Sequence, residues 1–376
     1  MTSSTRLTSL LACFLFLGAC SGGRDEAPAA PSDAGTDAGP PGLALFGFGT
    51  HEPSTLEVTV IASEDQGLWE PRDIAFSPAA DHQLWVLNAD SAMVIISATG
   101  TPEQRHVRKR EAGYEHFLPS PSALAFGDAT MATAHETDDV TQSSTPIDFM
   151  GPSLWPLDAA LYNGGHASHL DMLHNSPNAV GIAWESGNAY WVFDGYHRSL
   201  TFYDFAADHG PGGEDHSDGI ILRYVEGQVG YVDGVASHLE MDRASGLLYV
   251  ADTGNNRVAV LDTRTGARGE ILEPNYDDAD MFHMTSAPLT TLVDGAAYGM
   301  VQPSGLALRG GLIYVADRAL SVVHAFDLTG AQIDWLDLSS QITPGALGAV
   351  ELDAEGRLYV TDIGAHRVLR IAPRAL

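Results

Sequence analysis

The chain has 376 residues, with 49 acidic against 19 basic side chains and a formal net charge of −30. That balance excludes a nucleic-acid partner, because a phosphate backbone needs clustered Lys and Arg, and it suits cations or a cationic partner. The two cysteines, Cys13 and Cys20, both fall in the first twenty residues, so no disulfide staples the rest and core burial must hold it.

Residues 1–20 carry one charge, Arg6, followed by an apolar run from Leu10 to Leu17. The run is too short to span a bilayer as a mature helix and ends in small residues, which predicts a secretory signal. Leu17-Gly18-Ala19-Cys20 resembles the lipobox of bacterial lipoproteins. The resemblance implies cleavage before Cys20, acylation of that cysteine and a lipid-anchored place in the bacterial cell envelope. Ser21 resembles the signal for sorting to the outer membrane. Residues 21–42 are Ala, Pro, Gly, Asp and Ser with almost nothing to bury, a composition that predicts a disordered tether.

From residue 43 to 376 the chain reads as repeated β-hairpins. The clearest is Leu248–Asp262, Leu-Tyr-Val-Ala-Asp-Thr-Gly-Asn-Asn-Arg-Val-Ala-Val-Leu-Asp: two β-branched runs around a turn whose Gly and Asn accept positive φ. Related stretches stand at Leu84–Ile96, Tyr190–Tyr203, Leu312–Phe326 and Leu358–Ile371, with a weaker one at Met131–His135. The motif resembles the NHL repeat, which implies an all-β β-propeller, and aligning the copies gives six blades, a number that fits the length. Inner strands are expected from Asp73, Ala123, Gly181, His238, Gly305 and Ala349, each followed by a strand ending at Asn88, His135, Asp194, Asp252, Asp317 or Asp362. The last blade has no room for a fourth strand, so Thr55–Ala62 is expected to supply it and close the ring.

The repeat separates architecture from function. Four inner strands start with Gly or Ala, as crowding at the axis requires; Asp73 and His238 depart. Four second strands end in Asp, whose carboxylate can accept backbone N–H groups of the turn; Asn88 can do the same, and His135 less well.

Chemistry is expected in the insertions. Gly164–Pro177 carries His166, His169 and His174; the Asp194–Arg198 hairpin carries Tyr196 and His197; and Asp208–Gly219 carries His209, Asp215 and His216. Six of the fifteen histidines lie between His166 and His216, in Gly-rich polar segments that core packing does not explain. Imidazole with carboxylate is a ligand set for a divalent metal, zinc first, and carboxylates alone favour calcium. Asp277–Met284 adds thioethers beside His283, which would suit copper. The expected metal ligands are His135, His166, His169, His174, Asp194, His197, His209, Asp215, His216 and His238, gathered on the third and fourth blades.

Asp194-Gly195-Tyr196-His197-Arg198-Ser199 also resembles a hairpin of the peptidyl-α-hydroxyglycine amidating lyases, six-bladed NHL propellers with a zinc held by histidines. That resemblance implies an acid–base role for Tyr196, with His197 beside it. The positions comparable to that family's zinc histidines are Arg72, Ser122, Val180, Ser237, Ser304 and Gly348. Two functions therefore fit. One is a propeller that binds a divalent metal and a small-molecule or peptide ligand, with metal-dependent lyase or hydrolase chemistry. The other is a non-catalytic surface scaffold for a protein or glycan partner.

Overall fold

The structure is a computed structural model that describes residues 42–110, 113–144, 148–158, 169–211 and 213–374. Cys20, the signal, the tether before Gly42, and His166 lie outside the described residues.

Six small antiparallel sheets form the blades of a β-propeller, with their first strands ringed round the axis. Blade 1 comprises Pro71–Phe76, Leu84–Asn88, Met93–Ser97 and Arg105–Lys109. Blade 2 comprises Pro121–Phe126, Thr130–His135, Ser153–Pro156 and the short Asp171–Met172. Blade 3 has Ala179–Ser186, Ala189–Asp194, Ser199–Asp204 and Ile220–Tyr224. Blade 4 has Leu239–Asp242, Leu247–Asp252, Arg257–Asp262 and Leu289–Asp294. Blade 5 runs through Pro303–Arg309, Leu312–Asp317, Val322–Asp327 and Gln332–Asp337. Blade 6 joins Leu347–Leu352, Leu358–Asp362 and Arg367–Pro373 to Leu56–Ala62 as its fourth strand. The expected closure is present: Leu56 pairs with Pro373, Val58 with Ile371 and Ala62 with Val368.

The second strands of blades 1, 3, 4 and 5 read as apolar runs ending in Asn or Asp because each is buried on both faces. Successive side chains point to opposite faces of a strand, so one run serves two cores. Leu84 and Val86 pack with Tyr359 and Val368 of blade 6, whereas Trp85 and Leu87 pack with Leu124 and Trp155 of blade 2. The same division holds round the ring, which therefore has a core between every pair of neighbouring blades.

Inner strands of five blades begin earlier than expected because each opens with an irregularity in register, as between Pro71 and Asp73 or Ala179 and Gly181. Just beyond these shifts the chains crowd. A Cβ on Gly181 would lie 2.0 Å from the Ser237 carbonyl oxygen, and one on Gly305 would lie 2.5 Å from that of Gly348.

The repeated aspartates are architectural. Asp252 accepts the Gly230 N–H at 2.6 Å and Arg257 Nε at 2.6 Å, and Asp317 accepts the Val301 N–H at 2.7 Å. Each ties its hairpin turn to the linker before its own inner strand. Asn88 differs from the expectation: its amide donates to the Gly67 carbonyl at 2.9 Å.

One element was not legible in the repeat. Between the third and fourth strands of blade 4 the chain leaves as a hairpin, Ala267–Ile271 and Asp280–Thr285. Its second strand pairs in parallel with Ile220–Tyr224, making the blade 3 sheet six-stranded. Met281 is thereby buried in the core between blades 2 and 3, and His283 pairs with Glu226 at 3.2 Å. This stretch is a packing element, and the thioether of Met281 is spent on that core.

Candidate metal centre

Three segments distant in sequence meet at the outer edges of blades 2 and 3. The last strand of blade 2 supplies Asp171, the loop between the third and fourth strands of blade 3 supplies His209 and His216, and the hairpin borrowed from blade 4 brings Asp277. The expected place was blades 3 and 4. It shifts by one blade because Asp171–Met172 pairs with Ser153–Pro156 and so completes blade 2.

Asp171 is buried, and its Oδ1 accepts the Met172 N–H at 2.7 Å. The same oxygen faces His216 Nδ1 at 2.7 Å and His209 Nε2 at 3.9 Å. His209 Nδ1 donates to the Gly210 carbonyl at 2.6 Å, which fixes the proton on that nitrogen. In the neutral ring the lone pair is then on Nε2, which is buried and without a hydrogen-bond partner. The ligand atoms of Asp171, His209 and His216 lie within 4.8 Å of one another, and among the described residues no other set of three does so. Tetrahedral zinc, with bonds of about 2.0–2.2 Å, sets its donors roughly 3.4 Å apart. The Asp171 Oδ1 to His216 Nδ1 and Asp171 Oδ1 to His209 Nε2 separations, 2.7 and 3.9 Å, lie on either side of that value.

Other imidazoles surround the trio. The His169 ring lies 5.3 Å from that of His209 and stacks on Phe117 at 3.5 Å. Burial, with His209, His216 and His116 nearby, holds His169 neutral by pushing its pKa down to about 3. Burial also opposes charge on His216, but the Asp171 bond and the charges of Asp171, Asp277 and Asp215 raise its pKa above the usual imidazole value. His174 is satisfied at both ring nitrogens, by Asp277 Oδ1 at 2.6 Å and Thr141 Oγ1 at 2.5 Å, so it braces the wall. A cleft of about 720 Å³ opens here, lined by His116, His169, His174, His216, Tyr276 and Asp277 among others.

The remaining predicted residues go elsewhere. Asp215 lines the cleft but is exposed and bonds Ser217 at 2.7 Å. Asp194 is buried and accepts both the backbone N–H and Nδ1 of His197, at 2.9 and 2.7 Å, as the turn aspartate of blade 3. Tyr196 is 56 % exposed and packs against Phe149; neither it nor His197 lines the cleft. His135 is buried against Thr133 Oγ1 at 2.9 Å, and burial pushes its pKa down to about 3. His238 stands at the axis, its Nε2 3.6 Å from Asp73 Oδ1. Sequence reasoning left Asp171 out of the ligand set and placed Asp277 in a separate cluster with His283. Asp171 was visible as the acid two residues after His169, whereas Asp277 reaches the cleft only through the hairpin that changes blades.

No family model matches the chain, and no curated protein matches it by sequence. Similar solved structures do exist. An auxiliary nutrient binding protein from Bacteroides ovatus aligns with a TM-score of 0.50 at 12 % identity, over 85 % of this chain and 77 % of its own. One from Bacteroides thetaiotaomicron gives 0.52 at 8 % identity, over 84 % and 76 %. A luciferin-regenerating enzyme gives 0.51 at 10 % identity, over 84 % and 95 %. At these identities the likeness is one of fold, and function rests on the site.

Proposed function

We propose that the protein is a ligand-binding propeller that holds one divalent ion, zinc by the chemistry of its donors, on Asp171, His209 and His216. The observation that carries this reading is the buried, unpartnered Nε2 of His209 facing a buried carboxylate beside a second imidazole. Three protein donors leave a tetrahedral ion one open position, and the adjoining cleft has room for a small molecule or the end of a peptide. An ion there would polarise a ligand oxygen. His197 is committed to Asp194, and Tyr196 lies against Phe149. The acid–base group that lyase or hydrolase chemistry needs is thus not supplied by either, and the reading favours binding. The two nutrient-binding proteins of like fold support that choice.

Titration calorimetry of the mature chain with zinc chloride tests it. One ion per chain is expected, with affinity at least a hundredfold lower in His209→Ala and unchanged in His324→Ala, whose ring sits in an ordinary strand of blade 5. Absence of saturable binding, or equal binding by His209→Ala, contradicts the site. The anchor on Cys20 is part of the same proposal: Cys20→Ser should move the protein from the membrane to the soluble fraction, and retention in the membrane would count against it.

A further inference from the structure

A second cavity, of about 290 Å³, lies on the propeller axis and is independent of the metal centre. It runs along the inner strands, and exposure rises from the buried Asp73 and Ile74 to the half-exposed Phe76, so it opens at the ends of those strands. Three carboxylates from three blades line it: Asp73 of blade 1, Glu240 of blade 4 and Glu351 of blade 6. The basic side chains of the lining are His238 and Arg243, and Arg243 is engaged over the Trp184 ring. The nearest ion pair is His238 Nε2, 3.6 Å from Asp73 Oδ1, and that nitrogen has no hydrogen-bond partner although its side chain is 93 % buried.

Asp73 is partly employed by the fold, since its oxygens accept the Ile74 and Leu124 N–H groups at 2.8 Å each. Glu351 accepts the Leu352 N–H at 2.8 Å. Glu240 receives no hydrogen bond; burial and the charges of Glu351 and Asp73 raise its pKa well above normal. Folding has thus gathered three acids in one wall, each with its pKa raised chiefly by burial. Arg72 beside Asp73 and Arg309 beside Glu351 are the counter-charges, with none beside Glu240 among the described residues. An acidic cluster alone would prove nothing. The Nε2 of His238 in the same wall, buried and without a hydrogen bond, is an independent sign that a polar ligand completes the site.

We propose that the axial cavity binds a small organic cation, an ammonium compound, between Glu240, Glu351 and His238. A compact metal ion fits less well, because no three of these side chains bring their ligand atoms within 4.8 Å, as the metal trio does. An ammonium group spreads its donors over a wider set of acceptors, and its carbon skeleton is accommodated by the apolar remainder of the wall, Phe76, Phe126, Ile182 and Leu306. Aromatic rings in such a wall favour a cation over its neutral isostere. At the same end, the Arg243 guanidinium already lies 4.1 Å over the Trp184 ring.

The probe is phenethylammonium chloride at pH 8, with 2-phenylethanol as its neutral counterpart and calcium chloride as the inorganic cation, each titrated calorimetrically. Saturable 1:1 binding of the amine is expected, at least tenfold tighter than the alcohol. Affinity should fall at least tenfold in Glu240→Gln and in Glu351→Gln, and stay unchanged in Glu103→Gln, on an exposed loop, and in His209→Ala. The two glutamine variants guard against loss of fold in either, and a cooperative melt confirms that each is folded. No saturable amine binding, equal binding of the alcohol, or calcium displacing the amine from the same site overturns the proposal. Loss of amine binding in His209→Ala would also overturn it, by placing the amine at the metal cleft.

Discussion

At the scale of single residues, the titratable groups of this protein fall into three kinds, and surroundings rather than residue type decide which. Asp252 and Asp317 meet several N–H donors and hold turns together. His169 and His238 are buried and neutral, with pKa values pushed down to about 3 and about 4 chiefly by burial. Asp73 and Glu351 go the other way: burial lifts both to about 7, against the N–H groups they accept. A carboxyl whose pKa is higher folded than unfolded contributes stability that is full below the unfolded value and is lost as pH rises through the folded one. For Glu351 that window runs from about 4.5 to about 7. Arg72 beside Asp73, and Arg309 beside Glu351, lower their partners' values, while Asp353 raises that of Glu351. Glu351→Gln has no proton to lose there. Its melting temperature should therefore gain on the parent as pH rises from 4.5 to 7.5, whereas a constant difference across that range would contradict the burial of this carboxyl.

At the scale of elements, closure is the feature with the clearest energetic meaning. Leu56–Ala62 is paired along Arg367–Pro373, and its Leu56, Ile61 and Ala62 are buried in the cores on either side of blade 6. A chain beginning at Trp69 loses those bonds and exposes those side chains, each buried aliphatic residue being worth about 1.5–3 kcal/mol. It should melt at least 10 °C below the mature protein; an unchanged melting temperature would mean that the ring does not depend on this strand. The ring was readable in the sequence because hairpin turns and two-faced apolar strands repeat, and a repeat is a local signal. Leu84–Asn88 and Leu358–Asp362 end where the pattern said. The register shifts at the axis left no trace in it, because they come from crowding between strands of different blades. The Ala267–Thr285 hairpin was unreadable for a similar reason: nothing within it says that its partner strand belongs to another blade. Asp277 and its bond to His174 were lost with it, so an excess of histidine was legible while the carboxylates that organise it were not.

For the whole molecule, the propeller keeps two polar sites apart: one at the outer edges of blades 2 and 3, the other on the axis. The first arises from insertions and the second from departures within the repeat, Asp73 and His238. The acidic surplus of the chain suits both, since each site is proposed to take a cation. Removing the metal ligands should leave the axial site intact, because no residue lines both cavities.

X-ray absorption at the zinc edge, on the mature chain loaded with one equivalent of zinc, tests the metal centre most directly. The expected spectrum has a four-coordinate ion with two imidazole nitrogens and one carboxylate oxygen at about 2.0–2.2 Å, and no sulfur. His209→Ala should lose one imidazole from that shell or fail to retain the ion. A shell of six oxygens, a thioether at the metal, or a spectrum unchanged by His209→Ala would contradict the assignment of Asp171, His209 and His216.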